Sequence, residues 1–237
     1  MFISPELLTK ALAPFAITLS AEQIAQLDAY ARMLVDYNEK VNLTAITDPD
    51  EIVVKHFADS LALLHFCCFL EKALVADIGT GAGFPGVVLM IARPDLKLNL
   101  FDSTKKKLLF IDSVIAGLSL NGQTVHLRAE EAGHDRRFRE AFSVVTARAV
   151  AELRVLSEFC VPLVKPGGLF IAMKGDLADE ELQAGKGALK TLGARIDGIE
   201  SYNLPSADKR TLILSKKISQ TSTKYPRAFS QISKKPL

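Results

Sequence analysis

The chain has 237 residues, with 29 Lys or Arg against 27 Asp or Glu and a formal net charge of +2. At 49% hydrophobic and 24% charged residues it is an ordinary globular chain, which excludes disordered and fibrous classes. The charge is unevenly placed. Lys209, Arg210, Lys216, Lys217, Lys224, Arg227, Lys234 and Lys235 are eight bases with no acid from position 209 to 237, leaving 21 bases against 27 acids before them. A basic end on an acidic body points to a polyanion or an anionic membrane surface as partner.

No apolar run approaches the roughly 18 residues of a membrane span; residues 61–70 are too few and contain His65. The first residues lack a basic n-region, so no secretory signal is expected. Cys67, Cys68 and Cys160 are an odd set without Cys-x-x-Cys spacing, which argues against a disulfide framework or a zinc site and for the cytoplasm. His65, His126 and His134 do not cluster with acids, so no metal is expected.

In chain order, residues 1–70 read as helices. Ser20 and Gln23 have capping-box form, with Ile24, Leu27, Ala31, Leu34 and Val35 at helical spacing behind them. Asp48-Pro49-Asp50-Glu51 is a second start, with Asp48 as cap and Glu51 closing the box, followed by the apolar face Val53, Val54, Phe57, Leu61 and Leu64. Strands are expected at 73–78, 96–101, 124–127, 142–147 and 169–173. Helices are expected to about 91, then at 104–118 and 151–164, the last stopping at Lys165-Pro166-Gly167-Gly168. A polar helix at 177–192 and strands at 196–202 and 210–215 close the count. Alternation of this kind implies a doubly wound, parallel sheet. The Ser-, Thr-, Lys- and Pro-rich residues after Lys216 read as irregular or ordered by a partner.

The strongest local signal is Asp77-Ile78-Gly79-Thr80-Gly81-Ala82-Gly83-Phe84-Pro85-Gly86, placed where a strand gives way to a helix. Glycines there permit positive φ and close approach of a ligand to backbone, and in such sheets the ligand lies across the carboxyl ends of the strands. The stretch formally matches the dinucleotide fingerprint, which alone is weak. Pro85 removes an amide that a pyrophosphate would use, and Asp77 places an anion beside the loop, which suits a cationic ligand better. The pattern resembles motif I of class I S-adenosylmethionine methyltransferases, in which the acid lies near the ligand's ammonium. Asp102, ending the next strand, can accept a ribose diol in either class of enzyme.

Further segments carry a closer resemblance. They are Val41-Asn42-Leu43-Thr44-Ala45-Ile46, Lys55-His56-Phe57-Ala58-Asp59-Ser60-Leu61, the Gly-Phe-Pro-Gly form of the loop, Arg128-Ala129-Glu130, Thr146-Ala147-Arg148-Ala149, Met173-Lys174-Gly175 and Lys224-Tyr225-Pro226-Arg227. In that order, and over nearly the whole chain, they resemble the bacterial 16S rRNA small-subunit methyltransferase G family, also called glucose-inhibited division protein B. The resemblance implies a class I S-adenosylmethionine-dependent methyltransferase fold, Rossmann-like, with a seven-stranded mostly parallel sheet. A helical extension at 1–70 would pack on a catalytic domain at 71–217, with a basic tail at 218–237. It implies methyl transfer from S-adenosylmethionine to N7 of one guanine in 16S rRNA, on the rRNA or the small ribosomal subunit. A monomer is expected over an oligomer, with no metal and no membrane partner. Gly79 and Phe84 would lie in the cofactor loop with Asp77, Gly81 and Gly83, Ala129 and Glu130 at the adenine, and Arg148 at cofactor and substrate. Many relatives with this tail carry Arg-Arg after Tyr-Pro, whereas here Ala228-Phe229 follows Arg227.

Guanine N7 has an in-plane lone pair outside base pairing and needs no proton removed, so alignment rather than a general base is expected of the enzyme. The Asn/Asp-Pro-Pro-aromatic signature of adenine amino methylation is absent, and Cys160 lacks the Pro-Cys of C5 methylation and reads as core. Arg148 is the candidate for holding guanine O6 or a phosphate, the alternative being an ion pair with Glu152. Lys55, His56, Lys174, Lys224 and Arg227 are candidate RNA contacts. His56 and Asp59 share a helix face and could equally be a helix-to-core bond. Lys105-Lys106-Lys107 reads as a solvated face near the cofactor edge. An NAD-type Rossmann oxidoreductase and a non-catalytic ribosome-assembly factor are the competing readings.

Overall fold

A computed structural model describes residues 1–148, 150–176 and 179–237. Ala149 of the Thr-Ala-Arg-Ala segment, and Leu177 and Ala178 at the expected start of the polar helix, lie outside the described residues.

The first 70 residues are helical. α1 (Pro5–Leu12) is capped by Ser4. α2 (Ala21–Asn38) starts on the expected capping box, a device whose cap side chain contributes about 1 kcal/mol. The same Gln23 donates from Nε2 to the carbonyls of Ile91 (3.1 Å) and Ala92 (3.0 Å), tying the extension to a later helix. α3 (Pro49–Glu51) is capped by Asp48, which accepts from the amides of Asp50 and Glu51. Glu51 does not close a box: its carboxylate pairs with Lys55 one turn on. The helix then widens into a π-helical segment, Ile52–Ala58, and continues as α4 (Asp59–Leu61) and α5 (Leu63–Phe66). Such widenings concentrate at functional sites. No glycine or proline between 50 and 66 signals it.

β1 (Leu74–Ile78), α6 (Gly86–Ala92), β2 (Lys97–Asp102), α7 (Lys105–Gly117), β3 (Gly122–His126), a short α8 (Ala129–Ala132) and β4 (Phe142–Arg148) follow in the expected order. α9 (Leu153–Cys160) ends in a 3₁₀ turn, Val161–Leu163, and leads into β5 (Val164–Lys174). Lys165-Pro166-Gly167-Gly168 is thus not a stop before the strand. Val164 already pairs with Phe142, the register shifts, and Leu169 pairs with Val144, so the segment is a bulge inside β5. Gly167 turns it with φ +81°, a conformation only glycine adopts freely. α10 (Asp179–Thr191), β6 (Ala194–Asn203) and β7 (Lys209–Lys217) complete the sheet.

The strand order is β3-β2-β1-β4-β5-β7-β6. The pairs β1/β2, β2/β3, β1/β4 and β4/β5 are parallel, while β7 runs antiparallel to both β5 and β6. The order reverses at β1, which opens a crevice beyond the carboxyl ends of β1, β2 and β4. Alternation along the strands splits the core. Ile171 and Met173 of β5 face a cluster that includes Leu8, Leu27, Phe57 and Val87, and Phe170 and Ala172 face one with Leu153, Leu156 and Leu189.

The tail is irregular from Ile218 to Ala228, as expected, but it is docked on the chain's own body and ends in α11 (Phe229–Lys234). Tyr225 and Ile232 are buried in the second cluster. Arg139 donates to the carbonyls of Thr221, Ser222 and Tyr225. Lys217 pairs with Glu140 at 3.2 Å, and Arg227 with the fully buried Glu158 at 2.6 Å. Burial pulls the Lys217 ammonium down to about 8.

Candidate active site

The glycine loop is built inward. Asp77 is fully buried, and its Oδ2 accepts from the Gly86 amide (3.0 Å) while Oδ1 accepts from Thr146 Oγ1 (3.0 Å). Burial pushes this carboxyl up, against those hydrogen bonds. Asp77 therefore lies beneath the loop and fastens it, rather than facing a ligand. The Gly81 amide donates to Asp102 Oδ2 (3.1 Å), and the amides of Gly83 and Phe84 donate to the Thr80 carbonyl. The amides of Gly81, Gly83, Phe84 and Gly86, which a pyrophosphate would use, are spent inside the protein. The dinucleotide reading loses its physical basis here.

Gly79, with φ +67°, is the loop residue that opens onto a cavity of about 330 Å³. Ile78, Phe101, Asp102, Leu127, Ala129, Glu130 and Arg148 line it too. The chemistry suits a nucleoside with a cationic tail. Asp102 uses each carboxylate oxygen for one amide, Gly81 on Oδ2 and Thr104 on Oδ1. Each oxygen keeps a lone pair for a hydroxyl. Ile78, Phe101 and Leu127 offer apolar wall, and Glu130 adds a second anion.

Arg148 also lines a second cavity, of about 410 Å³, with Ile46, Lys55, His56, Asp59, Lys174 and Arg210. Its guanidinium lies over the Phe84 ring, 5.0 Å from the centroid. Nη1 donates to the Lys55 carbonyl (3.3 Å) and to Asp59 Oδ2 (3.2 Å), and Nη2 donates to His56 Nδ1 (3.4 Å). Since that nitrogen accepts, the His56 proton sits on Nε2 and is donated to Thr44 Oγ1, 3.0 Å away. Burial, reinforced by the Arg148 cation, pulls His56 down to about 3, so the ring is neutral. It stacks on Phe84 with centroids 4.3 Å apart. Asp59 also receives the Tyr202 hydroxyl (2.9 Å) and pairs with Arg210 (3.3 Å). Arg148 does not pair with Glu152, which holds Arg154 instead.

The expected residues thus divide. Gly79, Asp102, Ala129, Glu130 and Arg148 line the first cavity, and Lys55, His56 and Lys174 the second. Asp77, Gly81, Gly83 and Phe84 shape the loop behind them. Lys224 and Arg227 lie on the docked tail, Lys224 over the Tyr225 ring and Arg227 on Glu158. Unforeseen were Tyr202 and Arg210 behind Arg148, and Phe159 and Phe229 on the first cavity. Lys107 of the lysine run reaches that cavity as well. Cys160 is buried, its thiol pushed up by desolvation. Among the described residues no group of three His, Cys, Asp or Glu could hold a metal, and no helix is long and apolar enough to cross a membrane.

A seven-stranded, mostly parallel sheet with this loop after β1 and an acid ending β2 defines a class I methyltransferase fold. A SAM-dependent O-methyltransferase from Thermotoga maritima shares it, with a TM-score of 0.54 and 15% identity over 80% of this chain and 72% of that one. The family described as rRNA small subunit methyltransferase G (GidB) matches residues 23–213. Ribosomal RNA small subunit methyltransferase G of Desulfitobacterium hafniense is 50% identical over 223 residues, 93% of this chain and 92% of its own. Its namesake in Acetivibrio thermocellus is 47% identical over 234 residues, 98% and 96% of the two chains. The chain belongs to the rRNA small subunit methyltransferase G family.

Proposed function

We propose that this chain transfers a methyl group from S-adenosylmethionine to N7 of a guanine in 16S rRNA, acting in the cytoplasm on the rRNA or the small ribosomal subunit. One observation carries the reading: Arg148 is shared by two cavities of different chemistry. The first, with Gly79, Asp102, Ala129 and Glu130, suits a nucleoside with a cationic tail, and the second is rimmed by Lys55, Lys174 and Arg210.

Bound in the first cavity, S-adenosylmethionine would supply an electrophilic methyl. Asp102 would hold the ribose diol through its unused lone pairs, and Ala129 and Glu130 would flank the base. The basic rim of the second cavity draws in a polyanion, phosphate neutralisation releasing counterions. Lys55 and Lys174 are each held by an acid, Glu51 and Glu181, which aims them and trims their net charge. Of the five N–H donors of Arg148, three are engaged among the described residues. The remaining two can fix the guanine O6 edge or a phosphate. His56 is neutral and already accepts from Arg148, so it is unsuited as a base. An N7 acceptor requires none; the work is alignment.

The test is transfer of labelled methyl from the cofactor to naked 16S rRNA, to 30S particles and to a control protein. Label in a guanine of the rRNA is the expected outcome. Binding to 30S particles without label would support an assembly factor instead.

A further inference from the structure

Phe229 lines the first cavity, together with Gly79 of the glycine loop. The residue is 47% exposed, yet the backbone around it is fixed. Two residues earlier Arg227 clasps the buried Glu158, and three residues later Ile232 is fully buried. One face of the ring meets Phe159 of α9, nearly parallel at 8° with centroids 6.2 Å apart. The Arg128 guanidinium lies 5.2 Å from its centroid, and Arg128 immediately precedes the Ala129 and Glu130 that line the same cavity. A large apolar side chain is thus held beside a cavity with about half its surface uncovered, although the buried second cluster lies one turn away.

We propose that Phe229 is a binding residue that completes the cofactor cavity by packing on the nucleoside base, and that the docked C-terminal segment exists in part to present it. The inference rests on the cofactor reading above and deepens it. A purine placed against the part of the ring that Phe159 and Arg128 leave uncovered would bury the exposed aromatic surface, by offset stacking or edge-to-face contact, both of which aromatic pairs accept. Arg128 adds a cation beside the base. The basic tail is thereby partly a wall of the cofactor site, with Arg227 and Lys217 as its anchors.

The chain contains no tryptophan, so Phe229→Trp introduces a single indole reporter at the rim. S-adenosylhomocysteine and adenosine are titrated calorimetrically into the full-length chain, Phe229→Ala and Phe229→Trp, and the emission of the last is followed. Phe229→Ala is expected to bind both ligands about tenfold more weakly with an unchanged melting temperature. Phe229→Trp is expected to retain affinity, its emission quenching saturably at the calorimetric midpoint. Wild-type affinity in Phe229→Ala, an emission unmoved at calorimetric saturation, or a loss confined to S-adenosylhomocysteine would each overturn the base contact while leaving the cofactor assignment intact. Absence of S-adenosylhomocysteine binding by the unmodified chain would overturn the cofactor reading, and this one with it.

Discussion

Arg148, at the end of β4, and Asp59, on the turn after the π-helical segment, form an ion pair of 3.2 Å across 89 positions of sequence. Asp59 is nearly buried and also takes Arg210 and Tyr202, so it is a hub and Arg148 one of its spokes. Arg148→Ala is expected to lower methylation at saturating cofactor by about 100-fold, the scale of one positioned donor lost at the reacting end. Undiminished turnover would remove Arg148 from the mechanism. Asp59→Ala should cost more stability than Arg148→Ala, because it strands two guanidinium groups instead of one carboxylate that keeps other partners. Urea denaturation of the two variants reads the asymmetry.

Arg227 and Lys224 are separated by the same experiment. Arg227→Ala leaves the buried Glu158 carboxylate without its guanidinium, and breaking such a pair costs about 3–5 kcal/mol. Lys224→Ala should leave the unfolding midpoint within about 0.5 kcal/mol and reduce the salt slope of RNA binding. A stable Arg227→Ala with weakened RNA binding would reverse the assignment and make Arg227 an RNA contact.

His56 carries a pH signature. Its folded value is drawn down to about 3 from the usual 6.5, so the unfolded chain takes up a proton at this site in a range where the folded chain does not. The stability tied to neutral His56 is complete above pH 6.5 and is lost as pH falls from 6.5 toward 3, at no more than about 1.4 kcal/mol per pH unit. The midpoint of His56→Gln should therefore decline less steeply than wild type below pH 6.5. Parallel curves would show that the imidazole is not held neutral.

Gly86 faces the loop's own anchor. A Cβ there would lie 2.9 Å from Asp77 Oδ2 and collide with the Leu100 side chain. Gly86→Ala should destabilise the fold by about 1–3 kcal/mol, the cost of overpacking a filled site, and weaken cofactor binding through the displaced loop. A variant that unfolds like wild type in urea would contradict the packing.

Most of the sheet was legible because buried parallel strands are short apolar runs bounded by turn residues, as at β1 and β4. The helix starts at Ser20 and Asp48 were legible because caps leave side-chain signatures. The bulge at Gly167 was misplaced, since Pro-Gly-Gly reads equally as a stop or as a strand irregularity and only pairing with Phe142 decides. The π-helical segment leaves no composition signal. In the site, Asp102 and Arg148 could be found because each ends a strand at the crevice. Tyr202 and Arg210 could not: they reach Asp59 from the antiparallel β6–β7 pair, far away in sequence. The pairing of the basic end was not legible: counting bases cannot show that Arg210 and Lys217 of β7 and Arg227 of the tail each find a carboxylate on the body.

The Tyr30 hydroxyl donates to the Ala82 carbonyl at 2.6 Å, and its ring packs on Phe84 with centroids 5.4 Å apart. Both contacts reach from a helix of the extension into the middle of the glycine loop, whose Gly86, Gly81, Gly83 and Phe84 amides are already bonded to Asp77, Asp102 and Thr80. A loop so tied does not open independently of the fold, and its amide protons should exchange on the timescale of global unfolding.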